Sequence, residues 1–227
     1  MALLQAELDF LKESLPFWKA LTPSQQESVE KTASAFPVKK GQRLHNGAED
    51  CLGMILVKSG NLRAFILSDA GKEITIYRLF ERDMCILSAS CILKDITFDI
   101  YIEAETDSRV LLVPTFIYNQ LNETVLAVSK FTNQLISTRF SDVMWIMEQV
   151  LFMSFDRRLA NFLLEQAAVE NSDTLHITQE TIANHLGSAR EVVTRMLKYF
   201  QNEGMVHLFR GGVTILSRKK LEKLCEK

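Results

Sequence analysis

Arg190, Glu191, Thr194 and Arg195 stand at i, i+1, i+4 and i+5 in a chain of 227 residues, and residues at that spacing share one side of a helix. Two guanidiniums, a carboxylate and a hydroxyl on one outward face are groups that read base edges in a major groove. Arginine forks onto guanine O6 and N7, and glutamate accepts from cytosine N4. The same face would be merely solvated if Glu191 paired with Arg195, and spacing alone leaves both readings open. The surrounding residues favour the first. Ile177 to Phe200 reads as helix, tight turn, helix: Thr178 suits an N-cap, although Thr181 stands where a full capping box would need Glu or Gln. Ile182, Ala183 and Leu186 form the inner face of the first helix, with small Ala183 letting the helices approach. Gly187 supplies the turn, and Val192, Val193, Met196 and Leu197 anchor the second helix. Beyond them Val206 to Phe209 and Val213 to Leu216, joined by Arg210-Gly-Gly212, read as a hairpin with a basic tip, the wing of a winged helix. Thr178 and Ser188, at the openings of the two helices, are expected phosphate contacts, because each sets a hydroxyl beside free backbone N–H groups. Lys219 and Lys220 either reach the DNA backbone or form a solvated tail.

Charge is distributed in keeping with this. The net charge of −2 conceals −4 over residues 1–154 and +2 over residues 155–227, with +5 in 186–220, so a phosphate-facing surface belongs in the last stretch. Hydrophobic residues at 47% and charged residues at 24%, with only nine Gly and four Pro, exclude disordered and collagen-like classes. Glu7, Asp9, Lys12 and Glu13 interrupt the N-terminal apolar residues, and no run of 18 apolar residues occurs; secretion and membrane spanning are not expected. Cys51, Cys85, Cys91 and Cys225 contain no Cys-x-x-Cys pair, which points away from a disulfide scaffold or zinc site and towards a reducing, cytoplasmic setting. The four histidines form no metal constellation: His45 is expected in a turn, His185 facing outward from the first motif helix, and His176 and His207 beside strands, all solvated.

The elements that must carry this motif are legible upstream. Short helices are expected around Glu7 to Lys12 and Ser24 to Ala33. Gly41, Gly47, Gly53, Gly60 and Gly71 punctuate short apolar runs, and strands are expected at Met54 to Val57, Leu62 to Leu67, Ile74 to Tyr77, Asp99 to Glu103 and Val110 to Val113. This is a sandwich or small barrel. From Phe116 to Met153 there is neither Gly nor Pro, and Ile136, Phe140, Val143, Met147 and Val150 repeat at 4-3-4-3 spacing. That lays one apolar seam along a helix of about 45 Å, which a second copy of the chain would cover. Trp145 and Phe152 flank the seam. A helix from Phe155 to Ala168 and a polar loop at Glu170 to Asp173 open the last domain.

Over nearly its whole length the chain resembles the CRP/FNR family of bacterial transcription regulators. Thr178, Ile182, Ala183, Leu186, Gly187, Arg190, Glu191, Arg195 and Gly204 meet the family's C-terminal pattern, and Gly41-Gln, Gly47, Ser59-Gly60 and Gly71-Lys-Glu73 fall at the turns of its cyclic-nucleotide-binding β-roll. The resemblance implies an α+β chain: a double-stranded β-helix (β-roll) sensor domain at 1–115, a dimerisation helix at 116–154, and a winged helix-turn-helix DNA-binding domain at 155–227. It implies a homodimer that binds double-stranded DNA, with RNA polymerase as a further partner if it activates, and no enzyme activity. Helix-turn-helix dimers of this kind read two half-sites about one DNA turn apart. The Arg-Glu-x-x-x-Arg arrangement is similar to the cyclic-AMP-responsive branch, which implies a palindromic TGTGA-like site read by Arg190.

The signal differs from that branch. The family holds a cyclic nucleotide phosphate with a Gly-Glu-Leu turn and a later Arg-Ser or Arg-Thr; residues 82–100 contain neither, and Asp83, Lys94, Asp95, Asp99 and Glu103 give an acidic balance that repels an anion. Cyclic AMP and cyclic GMP are not expected. An iron–sulfur cluster is not expected either, since no N-terminal cysteine cluster precedes Cys51. Where relatives bind their effector stand Cys85, Ser88, Ser90 and Cys91, and three readings remain: a neutral or weakly polar small-molecule pocket, a thiol redox switch, or a haem site with Cys85, Cys91, His45 or a methionine as ligand. The second needs a turn between the cysteines, because Cα atoms six apart on a helix lie about 9 Å from one another, beyond disulfide reach. A ligand-binding protein with a non-functional DNA module is the competing reading of the whole chain.

Overall fold

Caps define the first helices. In α1 (Gln5–Ser14) the Glu7 carboxylate accepts the Leu4 amide at 2.9 Å. In α2 (Pro23–Thr32) Thr22 and Gln25 exchange backbone-to-side-chain bonds, with Pro23 at the first helical position where its missing N–H costs nothing. The computed structural model describes residues 3–47, 52–86 and 99–226. It divides into one unit of Met1–Leu67 with Ile76–Val143 and a second of Ser68–Thr75 with Met144–Lys227.

The strands β1 (Ser34–Val38), β2 (Arg43–Asn46), β3 (Gly53–Ser59), β4 (Leu62–Leu67), β5 (Glu73–Leu79), β6 (Met84–Cys85), β7 (Tyr101–Ala104) and β8 (Ser108–Pro114) form two four-stranded sheets, ordered β1-β8-β3-β6 and β2-β7-β4-β5, all in the first unit except the start of β5, Glu73–Thr75, which belongs to the second. The continuous apolar run of β3 follows from burial on both faces. Met54 and Leu56 pack with α1 and α2, while Ile55 and Val57 point between the sheets against Leu62, Ala64 and Ile102. The expected strands are present, and β1 and β2 join them. β1 contains Pro37, which the edge of a sheet tolerates because no ladder N–H is required there. His45, expected in a turn, lies in β2 and is 1% exposed. A register shift between Arg43 and His45 against β7 re-aims its side chain inward.

The long helix is two helices, α3 (Thr115–Thr124) and α4 (Leu126–Phe152), interrupted at Val125, whose backbone is extended. The β-branched pair Thr124-Val125 is poor in helix interiors, Val125 N–H caps the Leu121 carbonyl, and Val125 packs on the core beside Phe131. Along α4, Phe140 (65% exposed), Met147 and Val150 of the seam are exposed, as are Trp145 and Phe152, while Ile136 and Val143 are half-buried.

The second unit contains α5 (Phe155–Glu170), β9 (Thr174–Leu175), α6 (Gln179–Leu186), α7 (Arg190–Asn202), β10 (Val206–Phe209), β11 (Gly212–Ile215) and α8 (Arg218–Cys225). The strands form an antiparallel sheet ordered β10-β11-β9. Its core gathers Leu159, Leu163, Ile182, Val193, Leu197 and Phe200. Lys219 and Lys220 are therefore not in a loose tail: α8 docks through buried Leu221, and Lys220 Nζ donates to the Glu203 carbonyl at 2.7 Å. Among the described residues no helix is long and apolar enough to cross a membrane.

Candidate nucleic-acid interface

Local chemistry positions α6 and α7. Thr178 caps α6, its Oγ1 accepting from Thr181 N–H at 3.1 Å. Gly187 ends α6 in the left-handed region (φ 62°), a conformation that costs an L-residue about 1–2 kcal/mol, and its N–H closes on the Ala183 carbonyl. Arg158 reinforces that end by donating from Nη1 to the Leu186 carbonyl at 3.1 Å. The N-cap of α7 is Ala189, with no side-chain cap, so Ser188 lies one residue before the helix opening expected of it. Val193 and Leu197 anchor α7 as expected, with Met196 packed beside them and Phe200 added. Val192 departs from that set: it is half-exposed and shares a groove with Asp156, Arg195 and Tyr199, because it sits on the helix flank between the core and the outer face.

Arg190, Glu191, Thr194 and Arg195 together line one concavity of about 500 Å³. Among the described residues Glu191 and Arg195 form no ion pair, and the carboxylate nearest Arg190 is Glu180, 4.0 Å away with both side chains more than 60% exposed. The face is thus a set of exposed donors and one acceptor, paired only loosely to Glu180 at Arg190 and not paired within itself. A second cleft, of about 330 Å³, runs between α6 and the wing and is bordered by Thr178, Gln179, Arg190, Arg210, Gly211 and Gly212. Gln179 carried no sequence signal. It stands 15 residues from Thr194, whose hydroxyl lies 2.5 Å from its Oε1, a link between helices that no single-helix periodicity displays.

His185, expected to face solvent, is 7% exposed. Its Nδ1 is 2.9 Å from Thr75 Oγ1 and its ring centroid 5.1 Å from that of Phe162. The i, i+3 relation to Ile182 turns it towards the core. His176 and His207 are exposed.

Of the expected effector residues, Ser88, Ser90 and Cys91 lie outside the described residues. Cys85 is buried in β6, with Tyr77 Oη 3.4 Å from its Sγ. Burial, and then the neighbouring thiol, push the Tyr77 phenol well above its usual pKa. Arg139 of α4 stacks 4.2 Å from the Tyr77 ring centroid, donating to Asp142 at 2.9 Å and to the Met84 carbonyl. Among the described residues no group of three or more His, Cys, Asp or Glu is placed to hold a metal.

Residues 157–224 match the family model of the Crp-like helix-turn-helix domain. The chain is 51% identical to a protein of known structure from Eubacterium rectale ATCC 33656, ascribed to the CRP/FNR family of transcriptional regulators. That match covers 95% of this chain and 100% of the other, with a TM-score of 0.93. It is also similar to the transcriptional activator protein anr of Pseudomonas aeruginosa, at 26% identity over 89% of this chain and 85% of that protein. The fumarate and nitrate reduction regulatory protein of Vibrio cholerae is 24% identical, over 83% of this chain and 77% of its own length.

Proposed function

The chain belongs to the CRP/FNR family of transcription regulators, and from that premise we propose that it is an effector-gated homodimer reading a palindromic, TGTGA-like DNA site. One observation carries the reading: Arg190, Glu191, Thr194 and Arg195 line a single open concavity on α7 with no ion pair between Glu191 and Arg195. In a duplex Arg190 would fork onto guanine and Glu191 would accept from cytosine, with Arg195 beside them. Thr178 and Ser188 would meet phosphates, and Arg210 would bring the wing to the backbone.

Dimerisation through α4 is supported by the exposed seam residues Phe140, Met147 and Val150. We assign 1–115 to sensing, 116–154 to dimerisation and 155–227 to DNA binding, with the effector site around Cys85, Ser88, Ser90 and Cys91. A buried thiol beside a protonated phenol suits a neutral or weakly polar ligand better than a cyclic nucleotide. Such a regulator acts in the cytoplasm, and effector binding would shift the population between DNA-binding and non-binding arrangements.

The test is selection of binding sites from random duplexes by the purified full-length protein, followed by titration at several salt concentrations. Recovery of two inverted half-sites with log affinity falling linearly in log salt is expected. Enrichment of no motif would remove the proposal and favour a ligand-binding protein with a silent DNA module.

A further inference from the structure

Thr194 Oγ1 lies 2.5 Å from Gln179 Oε1 and 2.8 Å from the Arg190 carbonyl. A hydroxyl carries one proton, so it donates to one of them. A separation of 2.5 Å belongs to an O–H···O bond rather than an N–H···O bond, which directs the proton to Gln179 and fixes which way its amide faces. Gln179 Nε2, with two N–H donors, then has no protein partner among the described residues. Gln179 is half-buried, the first residue of α6, on the wall of the cleft it shares with Arg190 and Arg210.

We propose that Gln179 is a further DNA-contacting residue, donating from Nε2 to a backbone phosphate oxygen, and that Thr194 is the positioning residue that aims it instead of a reader of bases. The inference rests on the DNA-binding reading above. In a helix-turn-helix the first helix crosses the sugar-phosphate backbone while the second enters the groove. A bond from the second helix to the first residue of the first therefore ties the backbone grip to the reading face. A neutral amide neutralises no phosphate, so its contribution is common to all sequences and leaves the salt dependence unchanged.

Full-length wild type, Gln179→Ala, Thr194→Val, the double variant and Thr194→Ser are titrated against a preferred duplex, the same duplex with one base pair changed, and an unrelated duplex, each at two salt concentrations. Gln179→Ala and Thr194→Val should each weaken binding on every duplex by about fivefold per subunit, the worth of one hydrogen bond, or about 25-fold where both subunits of a dimer are engaged. Salt slope and base preference should stay as in the wild type, the double variant should be no weaker than either single one, and Thr194→Ser should bind as the wild type does. A Thr194→Val protein with altered preference at one base pair, or losses that multiply in the double variant, would overturn the proposal while leaving the DNA reading intact. A wild type without salt-dependent affinity for any duplex would overturn both.

Discussion

Replacing Arg190 separates the fold from the function with little ambiguity. Its side chain is 64% exposed, and its nearest carboxylate, Glu180, is 4.0 Å away and 62% exposed. Losing so weak a pair changes folding stability by no more than about 0.5 kcal/mol, so a fall in DNA affinity reports the duplex contact itself. A bidentate arginine–guanine pair is worth about 1–3 kcal/mol of discrimination, or about 5- to 150-fold, for each half-site. The proposed homodimer on its palindrome would lose the contact twice, so Arg190→Ala should lose about 2–6 kcal/mol on the symmetric site. Arg190→Lys keeps the charge but not the fork, and should recover part of the affinity without the base preference. Fluorescence anisotropy against a palindromic duplex and its single-base-pair variants gives both quantities, with urea unfolding run in parallel. An Arg190→Ala protein of native stability whose preference among those duplexes equals the wild type's would refute the assignment of α7 as the reading helix.

Other positions give independent checks. Burial raises the pKa of the Glu7 carboxyl, but the Leu4 amide and Arg109, whose Nε is 2.5 Å away, outweigh it and hold it below 4.5. Its stabilising contribution is thus complete above about pH 4.5 and lost as pH falls through the lower folded value. Glu7→Gln should cost about 2 kcal/mol at pH 7 and flatten the acid limb of a stability–pH curve measured by urea unfolding. Phe140→Asp sets a charge into the exposed seam of α4; sedimentation should show a folded monomer with wild-type circular dichroism, and an unchanged dimer would remove α4 as the interface. At Gly212 an added Cβ would overlap the Phe209 ring and come within 2.5 Å of the Leu175 carbonyl, so Gly212→Ala should destabilise the wing by about 1–3 kcal/mol in thermal unfolding. A wild-type midpoint would show that the wing absorbs the methyl group.

Sequence patterning revealed the elements whose periodicity is local. The β3 run and the seam of α4 each follow from one repeating spacing, and the outer face of α7 follows from helical geometry. Burial decided by a partner distant in sequence was not legible. His45 reads as a turn residue until the bulge against β7 directs it inward, and His185 reads as solvated until Phe162 and Thr75 enclose it. β1 was masked by Pro37, whose place depends on the strand being at a sheet edge, a fact of topology alone. The break at Val125 is hidden in the sequence for the opposite reason: no Gly or Pro marks it, and its causes are β-branching and core packing. Gln179 acquires meaning only when Thr194 is brought to it from the next helix.

Arg190 borders both the concavity of α7 and the cleft beside the wing. On the proposed DNA-binding reading, selectivity and grip would share a single cation and could not be tuned separately. An attempt to retarget this regulator by exchanging residue 190 alone would then yield a protein that binds more weakly everywhere as well as with altered preference. A successful redesign would restore a positive charge beside the wing at the same time as it alters α7.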